Sequence, residues 1–126
     1  MKYRTALYSV RGLGSARSGT HHWWMQRVTA VALTPSMLWF AFSVARVSGM
    51  GYAAALAWVG SPVNAVLLLC CLFALFYHAR LCMQVVIEDY VHREGVKIAS
   101  LLALNFITLL FGLASILAVL RVHLSG

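Results

Sequence analysis

The sequence predicts an all-α integral membrane protein with three transmembrane helices, its N-terminus inside and its C-terminus outside. Three observations predict it. Hydrophobic residues make up 62% of the 126 positions and charged residues only 10%, whereas soluble domains carry about a quarter charged residues. Three long stretches hold no charge at all. The cations that remain fall mostly on one side of those stretches. A mean hydropathy of +0.83 excludes soluble nucleic-acid binders, secreted disulfide scaffolds and disordered tails. The excess of ten Lys and Arg over three Asp and Glu is therefore read against membrane lipid, with no nucleic acid as partner.

The charge-free stretches are Val28–Ala45 (18 residues), Val47–Ala79 (33) and Ile98–Leu120 (23). A hydrocarbon core of about 30 Å takes roughly 20 residues at 1.5 Å each, so the first and last each hold one span. The middle stretch is too long for one span and too short for two. Gly49, Gly51, Gly60, Ser61 and Pro62 give its first part a loop-like character, and Pro suits the first turn of the helix that follows. The expected spans are about 23–45, 63–90 and 98–120, within one domain over 1–126. Residues 1–22 form a tail, expected to be irregular before residue 20 because of Gly12, Gly14, Ser15, Ser18 and Gly19.

Orientation follows from cations in the short loops. The first span is preceded by Lys2, Arg4, Arg11, Arg17 and Arg27, and the loop after the second adds Arg93 and Lys97. The other side has only Arg46 and Arg121. Trp23 and Trp24 stand where an interfacial aromatic belt belongs. The first apolar run is too long for the core of a cleaved signal peptide and lacks a small-residue cleavage site. Cys70, Cys71 and Cys82 form no CxxC pair, so they read as small membrane-helix hydrophobes.

Ionisable residues inside a span are costly and mark functional sites. His78 lies 12 residues before Tyr90, which on a straight helix is roughly 18 Å from the inner end and near mid-membrane. Asp89 follows His78 by 11 residues, three turns plus roughly 20°, and Cys82 is about 40° away. One face thus carries an imidazole at depth and a carboxylate at the rim, with Tyr90 beside it. Two readings of His78 stand: a core histidine hydrogen-bonded to a neighbouring carbonyl, or a haem axial ligand. The Asp89–Tyr90 pair suits a hydrogen-bond donor and proton path for a polar-headed, lipid-tailed substrate. Glu88 and Glu94 read as solvated loop charges. His21 and Arg27, six residues apart, sit at the inner interface. Arg27 is a fork for carboxylates or phosphates, or a snorkelling anchor. Arg80, about 200° from His78, faces away from it and is expected to snorkel inward or meet a partner. His22, His92 and His123 are assigned no role.

Taken together, SGTHHWWMQRVTAVAL (18–33) and HARLCMQVVIEDYVH (78–92) resemble the small hydrophobic membrane-anchor subunits of succinate dehydrogenase, respiratory complex II. The likeness is to the bacterial type close to the mitochondrial one. It extends over nearly the whole chain, and His78 followed eleven positions on by Asp89–Tyr90 is its specific part. The resemblance implies a complex with a flavoprotein, an iron–sulfur subunit and a cytochrome b subunit in a bacterial inner membrane, passing electrons from succinate to ubiquinone. It implies that His78 ligates the iron of haem b, the other axial ligand coming from the cytochrome b subunit. Tyr90 would hydrogen-bond the quinone with Asp89 beside it, and His21 and Arg27 would hold the haem propionates. One departure is Cys82, where related anchors often carry Gly. The chain has no nucleotide loop, flavin motif or cysteine cluster, so it is non-catalytic alone. Rival readings are the anchor of a quinol:fumarate reductase and a non-catalytic membrane accessory protein, which would leave the phase of His78, Asp89 and Tyr90 without a reason.

Overall fold

The computed structural model describes residues 16–125, with side chains from residue 19 onward. Lys2, Arg4 and Arg11, which carry much of the orientation argument, lie outside the described residues. Four helices follow in order: α1 (Ala16–Val47), α2 (Tyr52–Gly60), α3 (Pro62–Tyr90) and α4 (Glu94–Ser125). Three of them, α1, α3 and α4, are long and apolar enough to cross a membrane.

Two expectations about the ends of elements are corrected. The tail was expected to be irregular up to residue 20, but α1 is already helical from Ala16. A helix leaving the hydrocarbon keeps its backbone bonds, and nothing from Ala16 to Thr20 forbids helical angles; Gly19 only lowers the propensity. The second correction is α2, a two-turn helix inside the stretch expected to be loop-like. Between the glycines that suggested a loop lies Tyr52-Ala-Ala-Ala-Leu-Ala-Trp-Val59, rich in helix formers. The glycine signal marks the boundaries. Gly51, at φ 87°, is the one described residue with positive φ and turns the chain into α2.

Ser61 takes an extended conformation between α2 and α3, as the residue before a proline prefers, and Pro62 opens α3. Asn64 Nδ2 donates to the Trp58 carbonyl at 2.9 Å, satisfying an orphan at the end of α2. His123 Nδ1 meets the Gly60 carbonyl at 2.7 Å, and Trp39 and Trp58 stack with centroids 5.6 Å apart. Through these contacts α2 ties the ends of α1, α3 and α4 together on one side of the molecule. At the other end Val91–Arg93 joins α3 to α4, and Lys97 Nζ donates to the Glu88 carbonyl at 3.0 Å.

The three long helices form a row. α3 packs against α1 on one side and α4 on the other, and α1 and α4 do not meet among the described residues. Both packings are antiparallel. Pro35 interrupts the ladder of α1 without breaking it. Thr34 Oγ1 donates to the Ala30 carbonyl and Ser36 Oγ to the Ala32 carbonyl, the hydroxyl support that membrane helices use around proline.

A row has little interior. The buried apolar side chains are Leu33, Ala65, Leu68, Cys71 and Leu81, all on α1 or α3. Most of the other large apolar side chains are exposed, as lipid or membrane partners require, and the rest are half-buried. Ala65, at 2% exposure the most enclosed of these, leaves no room for a longer side chain. Ala65→Leu is therefore expected to destabilise the bundle by about 1–3 kcal/mol through overpacking. Val66→Leu, at a position 59% exposed, should be neutral in the same thermal-unfolding measurement in detergent.

Candidate functional site

The α1–α3 interface carries the polar contacts of interest. Thr29 and Gln26 are three residues apart on α1, and His78 and Cys82 four apart on α3, so each pair shares a helix face. Thr29 is buried at 8% exposure, and His78 and Cys82 are half-buried. Thr29 Oγ1 lies 2.9 Å from His78 Nδ1. The same oxygen is 2.8 Å from the Met25 carbonyl and 3.1 Å from that of Gln26. Cys82 Sγ lies 3.4 Å from His78 Nε2, and Gln26 Nε2 donates to Cys82 Sγ at 3.3 Å.

Both ring nitrogens of His78 are thus engaged inside the bundle, Nδ1 by Thr29 and Nε2 by Cys82, and Gln26 donates to the Cys82 sulfur. Which atom of the Thr29–His78 and Cys82–His78 pairs donates follows the ring tautomer. An imidazole held at one nitrogen by a fixed oxygen is the arrangement by which proteins orient a metal-binding histidine. The partner on the other nitrogen is a thiol, a weak hydrogen-bonding group, and so is readily displaced.

His78 is thus a hydrogen-bonded histidine within the bundle, its partner the Thr29 hydroxyl rather than a carbonyl. Along α3 it stands 16 residues from Pro62 and 12 from Tyr90, and the Thr29 contact sets it opposite a residue two positions beyond Arg27. The other anticipated residues are not gathered here. His21, Arg27, Asp89 and Tyr90 are exposed, Tyr90 at 79%. Arg27 lies over the Trp23 ring, 5.3 Å from its centroid. Arg80 points away from His78 as expected, and its partner is in this chain: Nε donates to Asn105 Oδ1 on α4 at 2.6 Å.

Three residues carry more than the sequence indicated. Thr29 and Gln26 lie inside the motif but look like ordinary helix polar residues; their spacing of three was the available signal. His22, assigned no role, is half-buried, and its Nε2 is buried with no hydrogen-bond partner among the described residues. It stands one turn before Gln26 on the same face. A buried polar atom left unpaired costs about 1–3 kcal/mol.

A row of three apolar helices long enough to cross a membrane, with little interior and with polar side chains exposed at one rim, defines a small integral membrane protein. The family described as succinate dehydrogenase/fumarate reductase transmembrane subunit matches over residues 1–113. Similar proteins include the succinate dehydrogenase hydrophobic membrane anchor subunit of Rickettsia bellii, 32% identical over 93% of this chain and 94% of that protein. Its counterpart in Paracoccus denitrificans is 33% identical over 84% and 82%, and the membrane anchor subunit of Reclinomonas americana 32% over 74% and 80%. The chain belongs to the succinate dehydrogenase/fumarate reductase transmembrane-subunit family, among the membrane-anchor subunits of succinate dehydrogenase.

The hydrogen-bond chain makes Thr29 the support of His78. Thr29→Val keeps the shape but removes the hydroxyl, leaving the partly buried His78 Nδ1 without its partner at a cost of about 1–3 kcal/mol. Thr29→Ser restores the oxygen. Thermal unfolding should rank the valine variant well below both the serine variant and the parent.

Proposed function

We propose that this chain is the anchor of a succinate:ubiquinone oxidoreductase, holding haem b through His78 and forming part of the ubiquinone site with Tyr90 and Asp89. The carrying observation is the Thr29–His78 contact, which orients the imidazole and leaves only a weak thiol partner on Nε2. The curated relatives named above are succinate dehydrogenase anchors, which favours succinate oxidation over fumarate reduction. Family membership also displaces the reading as an unrelated accessory protein.

The residues fit the haem. His78 would supply an imidazole nitrogen, and Cys82, where related anchors often carry Gly, would yield its weak contact with Nε2. Arg27 and His21 would supply donors for propionates at the rim, and the Nε2 of His22, without a partner among the described residues, adds one more atom in want of a partner. When bound, haem b would supply a one-electron carrier, held by His78 and by the cytochrome b subunit. The exposure of His21, Arg27, Asp89 and Tyr90 suits surfaces that partner subunits cover.

At the quinone, Tyr90 donates its phenolic hydrogen to a carbonyl that gains electron density on reduction, without burying a net charge. Asp89 beside it orients the phenol or passes protons from water. The flavoprotein and iron–sulfur subunit dock at this rim, since the quinone head must reach their last cluster while its tail stays in lipid. The cation asymmetry supports an N-terminus inside and a C-terminus outside, in a bacterial inner membrane.

Two outcomes test the reading. His78→Ala should abolish the bis-histidine haem signature in the reduced-minus-oxidised spectrum of the purified complex; an unaltered spectrum refutes the ligand. Tyr90→Phe should lower quinone reductase activity steeply, because a donor to developing charge contributes about 2.7–4 kcal/mol once it is buried and preorganised. Succinate oxidation by an artificial acceptor and haem content should stay near normal, and full quinone turnover in that variant would leave Tyr90 an interfacial anchor.

A further inference from the structure

On the face of α3 opposite His78, a groove of about 450 Å³ runs between α3 and α4, within the range of ligand-binding clefts. Its walls are apolar and aromatic, among them Phe73, Phe76 and Tyr77 on α3 and Leu109 and Leu113 on α4. Arg80 and Asn105 close one end. From Arg80 to Leu72 the groove follows α3 for about 12 Å.

The cations fix where that end lies in the bilayer. The Gln26–Cys82 and Thr29–His78 contacts set Arg27 level with Arg80, across α3 from Asn105. Arg46, 19 residues on from Arg27 in α1, is about 28 Å further along the axis. Arg121, 16 residues on from Asn105 in α4, is about 24 Å away. These two levels of arginine are separated by nearly the thickness of a hydrocarbon core. Arg80 therefore stands in the half of the span that ends at Tyr90, where its extended side chain reaches toward the headgroup layer, and the groove runs from it into the hydrocarbon of the same leaflet.

Asn105 takes only the Nε hydrogen of Arg80. Both terminal nitrogens, with four N–H groups in a planar fork, have no partner among the described residues. Such a fork matches a phosphate bidentately, and an aromatic-lined slot leading from it toward the membrane centre matches an acyl chain. We propose that this groove binds one phospholipid with an anionic headgroup, its phosphate on Arg80 and one acyl chain between α3 and α4. Asn105 acts as a positioning residue, aiming the guanidinium along the groove mouth. A headgroup that carries its own cation competes with Arg80 for the phosphate, which is why a net-anionic lipid is selected. Neither the haem nor the quinone enters this reasoning.

The test uses the intact purified complex in mixed micelles of phosphatidylglycerol and phosphatidylcholine, with retained lipids counted by native mass spectrometry. One cation near a lipid surface gives about a fivefold preference for the anionic lipid. Arg80→Gln should remove that preference, and Arg80→Lys should keep part of it. Leu109→Trp, which fills the groove and leaves the cation in place, should reduce the bound lipid as well, and it serves if the Arg80 variants do not assemble. Equal retention of phosphatidylglycerol by parent and Leu109→Trp, or by parent and Arg80→Gln, overturns the proposal. So does a photoreactive phenylalanine analogue at position 109 that cross-links to a polypeptide instead of lipid, since a partner helix would then fill the groove.

Discussion

An imidazole between two membrane helices must find a place for two nitrogens where water is scarce, and the way His78 does so organises this molecule. Thr29 Oγ1 meets Nδ1 while also lying within hydrogen-bond distance of the α1 backbone. Cys82 meets the other nitrogen and is held in turn by Gln26. The chain fixes the register of α1 against α3. A slip of one residue would strand four polar groups in an apolar interface, at a cost comparable to the net stability of a small domain.

With so few buried side chains, register matters more than volume. The apolar contacts of Leu33, Leu68 and Leu81 would tolerate small displacements; hydrogen bonds of defined length would not. Membrane helices gain little from burying apolar surface against each other, since lipid tails are equally apolar. The direction of α1 relative to α3 is further secured by α2, which gathers the far ends of the long helices through Asn64, His123 and the Trp39–Trp58 stack. What remains is a thin row with two broad faces, suited to a subunit whose surface other chains and lipid complete.

The two sides of α3 have separate work. Toward α1 it presents His78 and Cys82; toward α4 it presents Arg80 and the groove above it. Two residues of spacing turn a side chain by about 200°, which is why an imidazole and a guanidinium nearly adjacent in sequence serve different neighbours. The same register that positions His78 also levels Arg80 with Arg27, so the internal hydrogen bonds and the membrane boundary are consistent with one another.

Much of this was legible in the sequence, because a bilayer imposes a length and a charge rule that composition obeys directly. The absence of charge over Val28–Ala45 and Ile98–Leu120 is sufficient for a span. The 11-residue interval from His78 to Asp89 is sufficient for a shared helix face, and the turn of Arg80 away from His78 follows from the same periodicity. Boundaries were less legible: Ala16–Thr20 extends α1 and Tyr52–Gly60 forms α2, because glycine and serine lower helical propensity without forbidding it. What helix faces meet was not legible at all. Periodicity states that Thr29 and Gln26 share a side of α1, but only the antiparallel packing brings them to His78 and Cys82. The contact of His78 with Thr29, the nitrogen of His22 without a partner among the described residues and the pairing of Arg80 with Asn105 are decided there, since each depends on the distance between atoms on different helices. Distances of that kind are set by how helices pack, and no pattern along one strand of sequence contains them.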